Sequence, residues 1–268
     1  NEPWHPSQAV PDDRFAKESL SLQHTFPPTA WMGRCGNAIA GRPLSKVLLP
    51  GAHDCGTYSL SRDSAYAQDL KSVKALRTLS AIGLDKFTKG IVASWAVCQS
   101  ATTREQLYHG VRYFDLRVAY LKGEFYIWHG LCGERIESVF AEMAEYARLY
   151  PTEVLILDLV PHHFNDFTKD LHKRFGDLLY STFGSTLCSS ENLNPWSTMT
   201  QIWDSQTNVI VLYQPPEKFD DGQSKLWWNP AWLDSHWPKQ CKNADQWLTW
   251  AKGHVDKRSE QAPLWVLQ

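Results

Sequence analysis

Several features that assign a sequence to a specialised class are missing from this one. The 268 residues contain no run of about 18 apolar residues, which excludes an ordinary membrane-spanning helix. The formal net charge is −2, whereas nucleic-acid-binding domains carry a basic stripe, so we expect no nucleic-acid partner. The six cysteines include no C-x-x-C pair, which argues against a zinc site, while their even number leaves disulfides open.

Tryptophan, in contrast, is abundant, with thirteen residues. Four of them lie in the proline-broken stretch "KLWWNPAWLDSHWP" (225–238). An indole combines an apolar ring with a polar N–H and suits a membrane interface, so we expect Trp227 and Trp228 to contact a membrane. The alternative, that these rings pack beneath the loop, stays open.

The beginning of the chain differs in character from the rest. The sequence starts at Asn1 rather than Met, so we expect a processed or trimmed product. Residues 1–45 contain several prolines and no clear period, and we interpret them as an N-terminal segment that wraps a domain of residues 46–268. We expect a secreted or peripheral membrane location, and the cysteine pattern leaves the redox compartment open.

Apolar runs alternate with helical patterns from residue 46 onward. The strand candidates are residues 46–50, 111–120, 124–130, 153–160, 207–214 and 263–268, with a turn at Lys122-Gly123. Residues 136–151, 167–180 and 244–255 have apolar side chains at helical spacing. Strands that alternate with helices predict an α/β fold with a parallel sheet. Because the sequence has no glycine-rich motif of the kind found in nucleotide-binding sheets, we expect a single domain of the distorted TIM-barrel type.

Ionisable residues follow three of the predicted strands. His53 and Asp54 come directly after the first strand, in "LLPGAHDCGTYSL", and His129 ends "YIWHG". Asp115 and Arg117 are two residues apart, so alternation places them on one strand face, where we expect them to pair. Because catalytic groups of a parallel barrel lie at the C-terminal ends of its strands, we expect all five side chains to form one cluster.

The residue types in this cluster indicate phosphoryl transfer. One histidine can accept a proton while the other donates one, and an arginine presents a planar fork that matches a phosphate. Asp158, His162 and Tyr213 lie in or directly after later predicted strands and are candidate substrate-binding residues.

Each catalytic assignment has a structural alternative. The His129-Gly130 pair can be an ordinary turn, and Asp115 and Arg117 can form an ordinary buried ion pair. A metal pair at His162-His163 is disfavoured, because adjacent side chains of an extended chain point in opposite directions.

The motifs "LPGAHDCGTYSL", "REQLYHGVRYFDLRV" and "YIWHG" resemble, in family order, the X domain of phosphatidylinositol-specific phospholipases C. The resemblance runs from about residue 46 to the end of the chain. The stretch "SWAVCQSATTREQLYHGVRYFDLRV" resembles the branch that holds the X-domain-only proteins and the trypanosomal glycosylphosphatidylinositol phospholipase C.

This resemblance implies a distorted TIM barrel and a set of roles. His53 matches the general base that takes the proton from the inositol 2-hydroxyl, which then attacks the adjacent phosphorus. His129 matches the general acid that protonates the departing diacylglycerol oxygen. Arg117 matches the arginine that stabilises charge on the phosphate, and Asp54 and Asp115 match supporting carboxylates. The implied products are diacylglycerol and a cyclic inositol phosphate.

Two departures from the family pattern leave questions open. Bacterial members place an aspartate after a strand resembling "LWVLQ", where it orients the general base, but this sequence stops at Gln268. Either the chain is trimmed there or another carboxylate orients His53. The bacterial inositol pocket uses charged residues where this sequence reads "LVPHHF", so the preference among phosphatidylinositol, its phosphorylated forms and glycosylphosphatidylinositol is not readable.

We expect no metal or other cofactor. The large signalling relatives bind calcium through an asparagine after the first histidine and an acidic residue at the position of Arg117. Here Asp54 follows the histidine, and the guanidinium would repel a divalent cation. The expected partners are an inositol phospholipid and a peripheral membrane surface, and we expect a monomer.

Two other functions are considered. A glycerophosphodiesterase or sphingomyelinase D type of enzyme uses two histidines on the same barrel with magnesium, and Arg117 disfavours it. A catalytically inactive lipid-binding module is disfavoured because the set of His53, Asp54, Arg117 and His129 is complete.

Overall fold

The structure is a computed structural model, and it describes residues 28–66, 85–159, 167–213, 223–238, 241, 243–255 and 263–267. The strands in these ranges are β1 (Gly51–Ala52), β2 (Ala65–Tyr66), β3 (Tyr113–Leu116), β4 (Val118–Leu121), β5 (Glu124–His129), β6 (Leu131–Arg135), β7 (Leu155–Leu159), β8 (Val209–Leu212), β9 (Leu233–His236) and β10 (Leu264–Leu267). The α-helices are α1 (Trp31–Ile39), α2 (Asp85–Ala96), α3 (Thr103–Tyr108), α4 (Ile136–Leu149), α5 (Lys169–Phe183), α6 (Met199–Asp204) and α7 (Ala244–Val255). Among the described helices, none has the length and hydropathy needed to cross a bilayer.

A parallel sheet with the strand order β1-β3-β7-β8 forms the centre of the fold. Side chains alternate across it, as the strand period requires. Phe114 and Leu116 of β3 belong to an outer apolar cluster with α4 and α5. Tyr113 points into a second, inner cluster with Ile156, Leu212 and other residues. Both faces are therefore buried, which explains the near-continuous apolar runs in the sequence.

Two smaller sheets complete the described strands. Antiparallel strands in the order β2-β6-β5-β4 lie beside the parallel sheet, and β9 and β10 form a separate parallel pair. The predicted turn between β4 and β5 is present, with positive φ angles of 51° at Lys122 and 94° at Gly123. This geometry suits a tight hairpin and explains the glycine at the second position.

Several predicted elements match the observed ones. Strands β5, β7, β8 and β10 lie within the predicted segments 124–130, 153–160, 207–214 and 263–268. The three predicted helices correspond to α4, α5 and α7, and the expected stripe of α4 (Ile136, Phe140, Met143 and Ala147) is buried.

Two strand predictions were wrong in their bounds. The strand predicted over 46–50 begins only at Gly51, because residues 44–46 form a 3-10 turn and Pro50 has no N–H to donate to a ladder. Leu48, expected inside this strand, is 92% exposed. The strand predicted over 111–120 is divided at Arg117, where the chain leaves the parallel sheet (β3) and joins the antiparallel one (β4).

A buried ion pair joins residues 28–33 to the barrel. The Arg112 and Glu153 side chains are fully buried, and Nε and Nη2 of Arg112 lie 2.9 and 2.5 Å from Oε2 of Glu153. Arg112 also donates to the carbonyl of Thr29, and Glu153 accepts from the backbone N–H of Gly33. Burial raises the pKa of Glu153 although Arg112 opposes the rise. Besides neutralising each other, the two side chains therefore provide hydrogen-bond partners for the Thr29 carbonyl and the Gly33 N–H.

Removing one partner of this pair should destabilise the protein strongly. We expect Arg112→Met to lower the free energy of unfolding by about 3–5 kcal/mol, because it leaves the Glu153 carboxylate buried and uncompensated. Urea denaturation followed by circular dichroism measures this change. The control is Arg104→Met, whose guanidinium pairs with Glu142 and Glu145 at the surface and should matter little. Equal effects of the two substitutions would contradict the prediction.

Candidate active site

A sharp turn after β1 presents the first two candidate residues. Asp54 has a φ of 47° and Gly56 a φ of 87°, both in the left-handed region. A Cβ at position 56 would also lie only 2.8 Å from Cγ1 of Ile127, so glycine is needed there for two reasons. The backbone N–H of Cys55 donates to the carbonyl of Asp115 at 2.8 Å, and Thr57 Oγ1 donates to the carbonyl of Asp54. These bonds hold the strained turn in place.

His53 lies between two carboxylates. Its Nδ1 is 2.7 Å from Oδ2 of Asp115, and its Nε2 is 2.8 Å from Oδ2 of Asp54. Burial alone would lower the pKa of His53, but the hydrogen bonds and negative charges of Asp115 and Asp54 outweigh it and raise the pKa from 6.5 to about 9. The imidazole is therefore protonated at neutral pH in the ligand-free protein.

Asp54 is the centre of the cluster. Its side chain is 1% exposed and contacts His53, while Oδ1 lies 2.5 Å from Nε of Arg117. Nε2 of His129 is 3.6 Å from Oδ2 of the same carboxylate. Although burial opposes it, the hydrogen bond with His53 and the charge of Arg117 lower the pKa of Asp54. The expected pairing of Arg117 with Asp115 was wrong, because Arg117 lies beyond the end of β3 and turns toward Asp54.

His129 ends β5 and is directed by the residue that follows. Gly130 has a φ of 75° in the one-residue connection that pairs His129 with Leu131. Nδ1 of His129 is 2.8 Å from the carbonyl oxygen of Ala96. A carbonyl only accepts, so Nδ1 carries a hydrogen and Nε2 is the nitrogen that faces Asp54.

Three further residues belong to this site, and none was predicted. Cys98 Sγ lies 3.4 Å from Oδ2 of Asp54 and 3.7 Å from Nδ1 of His129. Burial, and after it the charge of Asp54, raise the pKa of Cys98 to about 11, so it is a thiol. Gln99 Nε2 donates to the carbonyl of His53 at 2.7 Å. The indole of Trp237 meets the His53 ring edge-on, with centroids 4.3 Å apart. No spacing rule connects these positions to the histidines, although Cys98 and Gln99 lie in the stretch "SWAVCQSATTREQLYHGVRYFDLRV" that carries the family resemblance.

The predicted substrate-binding residues are placed differently. Asp158 is 4% exposed and accepts a hydrogen bond of 2.6 Å from the Tyr113 hydroxyl inside the barrel, where burial raises its pKa to about 7. Tyr213 is 2% exposed in the outer cluster, with its hydroxyl 2.6 Å from Nδ1 of His172 on α5. Neither side chain is therefore accessible to a substrate in this conformation. His162 lies outside the described residues.

The predicted membrane contact of Trp227 and Trp228 requires correction. The two side chains are only 3% and 0% exposed. Trp228 Nε1 donates to the carbonyl of Cys188, and Trp227 packs in the outer cluster. Both indole rings therefore pack in the protein interior, as in the alternative that the rings pack beneath the loop.

Among the described residues, one cavity reaches His53 and another lies beyond Trp237. A groove of about 660 Å³ has His53 and Gln99 in its wall and continues along apolar side chains that include Leu233, Leu264 and Val266. A second cavity of about 780 Å³ is bordered by Trp237 and lined by His236, Trp250 and His254, among others. The groove therefore gives access to His53, and Trp237 separates His53 from the second cavity.

The donor atoms around Asp54 do not suit a hard cation. Within the described part of the chain, His53, Asp54 and Cys98 offer ligand atoms within 4.8 Å of one another. Nitrogen and sulfur ligands are typical of zinc, whereas calcium and magnesium take several oxygens. Asp54 is the only oxygen donor of this group, and it already pairs with Arg117.

Comparison with curated proteins finds PI-PLC X domain-containing proteins among the relatives of this chain. The chain is 30% identical over 190 residues to PI-PLC X domain-containing protein 2 of Homo sapiens, covering 69% of this chain and 60% of that protein. It is 29% identical over 189 residues to PI-PLC X domain-containing protein 1 of Homo sapiens, covering 69% and 56%. The chain thus spans somewhat more than half of these relatives. No protein-family model matches it.

Solved structures match the fold more extensively. The phosphatidylinositol-specific phospholipase C of S. aureus superimposes with a TM-score of 0.55 at 16% identity, covering 90% of this chain and 76% of that chain. The enzyme of Listeria monocytogenes gives 0.55 at 14% identity, covering 90% and 78%. This likeness confirms the predicted single-domain α/β fold of the distorted TIM-barrel type.

The position of His53 between two carboxylates predicts an unusual titration. Its folded pKa lies above the unfolded value of 6.5, so protonated His53 stabilises the fold fully below pH 6.5, and this contribution is lost as the pH rises through about 9. We expect an imidazole NMR titration midpoint near 9, and a free energy of unfolding that falls between pH 6.5 and 9.

The carboxylates provide the controls for this titration. Asp115→Asn and Asp54→Asn should each move the midpoint of His53 back toward 6.5, and His53→Asn should remove its part of the pH dependence of stability. A midpoint at or below 6.5 in the unmodified chain would contradict the prediction.

Proposed function

The chain belongs to the family of PI-PLC X domain-containing proteins, and we propose that it cleaves the glycerol–phosphate ester of phosphatidylinositol or glycosylphosphatidylinositol. The attacking group is the inositol 2-hydroxyl, and the products are diacylglycerol and a cyclic inositol phosphate. The observation that carries the proposal is the contact of one buried carboxylate, Asp54, with both histidines and with Arg117.

The first half of the reaction requires a base. His53 Nδ1 is held by Asp115, which orients the ring and leaves Nε2 as the reacting nitrogen. In the ligand-free protein, Nε2 is occupied by Asp54. When the 2-hydroxyl replaces that carboxylate, the imidazole loses a hydrogen bond and a nearby charge that favour its protonated form. The imidazolium must then release its Nε2 proton to solvent, and the neutral His53 accepts the hydroxyl proton as the oxygen attacks phosphorus.

The second half requires an acid and charge stabilisation. His129 directs Nε2 toward the same place, and its Nδ1–H is fixed by the Ala96 carbonyl at the end of α2. His129 Nε2 then gives a proton to the departing diacylglycerol oxygen. Arg117, 19% exposed and anchored by Asp54, supplies donors for the developing charge on the phosphate oxygens.

One observation favours a second candidate. Both nitrogens of His53 contact carboxylates, and these contacts raise its pKa to about 9. A permanently protonated His53 beside Arg117 would bind the phosphate of an inositol lipid without cleaving it. The chain would then be an inactive lipid-binding module, which retains lipid binding but produces no cyclic phosphate.

The partners in this proposal are an inositol phospholipid and the membrane that holds it. The S. aureus structure concerns modulation of that enzyme's membrane binding. The groove beside His53, polar at the site and apolar further along, suits a substrate that has a polar headgroup and a lipid tail.

Each histidine should be required, and for a different bond. We expect His53→Ala and His129→Ala to lower turnover of phosphatidylinositol by about 10²–10⁴-fold each. A phosphodiester analogue with a good leaving group needs no acid, so it should restore the His129 variant and leave the His53 variant inactive. Cyclic inositol phosphate, resolved by ³¹P NMR, is the product to measure.

A control and a contrary outcome complete this test. His109 is exposed at the C-terminal end of α3 and contacts none of the site residues named above, so His109→Ala should keep full turnover. Equal rescue of both site variants would refute the division of roles, and absence of product from the unmodified chain would favour the inactive module.

Turnover should need the planar guanidinium of Arg117 and no divalent cation. We expect full activity in excess chelator and a loss of about 10²-fold or more in Arg117→Lys, since lysine offers a point charge in place of two parallel donors. Arg104→Lys, in an exposed ion pair, is the matched control. Restoration of lost activity by added calcium or magnesium would show that the metal-free mechanism is wrong.

A further inference from the structure

Asp158 is a buried carboxyl group that the reaction described above does not use. It lies on β7, is 4% exposed and accepts a hydrogen bond of 2.6 Å from the Tyr113 hydroxyl. Ile156 on the same strand and Leu212, its partner on β8, are apolar residues of the inner cluster. Burial raises the pKa of Asp158 to about 7; Tyr113 opposes the rise, and the charge of Asp115 adds to it.

The register of the parallel sheet places Asp158 beside the carboxylate that holds His53. Asp115 of β3 and Asp158 of β7 are direct partners in the ladder. Because partners on neighbouring strands point to the same face, the two carboxyl groups are neighbours on the inner face of the sheet. Tyr113 is two residues before Asp115, so it shares this face and reaches Asp158 diagonally. The side chains therefore follow one another in the order Tyr113, Asp158, Asp115 and His53.

The two oxygens of Asp115 have different surroundings. Oδ2 lies 2.7 Å from Nδ1 of His53 and 3.5 Å from the backbone nitrogen of Asp54. Oδ1 is buried and has no hydrogen-bond partner among the described residues. Little solvent screens a buried carboxylate of this kind, so a charge on its ladder partner acts on it strongly.

We propose that Asp158 is a positioning residue, which acts on the reaction through Asp115 and sets how readily His53 gives up its proton. The proposal rests on the proposed function, in which His53 must be neutral before it accepts the hydroxyl proton. When Asp158 is protonated, it adds no charge to that of Asp115. When Asp158 is ionised, it places a second negative charge behind Asp115, which favours the imidazolium form of His53.

The two groups titrate in a defined order. Asp158 loses its proton near pH 7 and His53 near pH 9, so Asp158 is already ionised when His53 releases its proton. The titratable side chains that act on Asp158 are Tyr113 and Asp115, and those that act on His53 are Asp115 and Asp54. Ionised Asp158 therefore delays the release to higher pH. A unit charge that acts across one intervening side chain, at an effective dielectric constant between those of protein and water, shifts a pKa by roughly half a unit.

Asp158→Asn tests this role directly, since asparagine has nearly the same shape and no charge. The titration midpoint of His53, followed by imidazole NMR, should fall by roughly half a pH unit. Asp204→Asn is the matched control. It removes an exposed carboxylate at the end of α6, five residues before β8 begins and therefore at the edge of the parallel sheet opposite to His53. This control should leave the midpoint unchanged.

Tyr113→Phe provides a second test that keeps the carboxyl group. Loss of the hydroxyl removes a hydrogen bond that favours ionised Asp158, so Asp158 should stay protonated to higher pH. The midpoint of His53 should then fall, as in Asp158→Asn. Because the hydroxyl acts through Asp158, the double variant Tyr113→Phe/Asp158→Asn should have the same midpoint as Asp158→Asn alone.

Turnover provides a measurement that a merely structural role would not change in this way. In Asp158→Asn, the acidic limb of the pH–rate profile for phosphatidylinositol should move to lower pH by the same half unit. Turnover at pH values below that limb should therefore rise about threefold. A substitution that only loosened the fold would lower turnover at every pH and leave the limb in place, which would overturn the proposal.

The two proposals fail on different results. An unchanged or raised midpoint of His53 in Asp158→Asn overturns the role of Asp158, whether or not the chain cleaves a lipid. A double variant whose shift equals the sum of the single shifts also overturns it, since Tyr113 would then act independently of Asp158. A lowered midpoint in a chain that forms no cyclic inositol phosphate supports the coupling of Asp158 to His53 and rejects the proposed function.

Discussion

The carboxylate of Asp54 is the contact on which the arrangement of the site depends. It is almost completely buried and is shared by an imidazole, a guanidinium and a second, more distant imidazole. A buried carboxylate of this kind is tolerable only while its cations stay in place. The backbone of Asp54 is itself in the left-handed region and is held by Thr57 and by the ladder to Asp115. Strain and charge compensation are therefore concentrated at one position.

The contacts of Asp54 and Asp115 form a closed network around His53 and Arg117. Asp115 and Asp54 saturate both nitrogens of His53, and Arg117 is fixed by the opposite oxygen of Asp54. A phosphodiester that enters the site must compete with Asp54 for His53 and for Arg117. The anionic phosphate can replace the Asp54 carboxylate beside Arg117, whereas the neutral hydroxyl replaces it at His53 and so weakens the preference of that imidazole for its protonated form. The same network that stabilises the site thus orients its groups for an incoming substrate.

Helix α2 contacts the candidate active site at its C-terminal end and exposes large apolar side chains to solvent. Its C-terminal carbonyl fixes the tautomer of His129, while its opposite face carries exposed apolar residues. The sequence did not indicate this helix, because its apolar residues are divided between two faces and produce no single stripe toward the core. The signal that was visible in the tryptophan-rich stretch belongs instead to packing, since Trp227 and Trp228 fill the barrel wall.

The sequence by itself determined the fold class, the long elements and the five residues of the cluster. Alternating strands and helices, a stripe with period 3.6 in α4 and ionisable residues after three strands are local patterns, so they can be read along the chain. The pairing within the cluster was decided only by the tertiary structure. Arg117 lies at the point where one strand passes between two sheets, and this bend turns it from Asp115 toward Asp54. Cys98, Gln99 and Trp237 reach the site from distant segments, and contacts between distant segments depend on packing that no local period encodes.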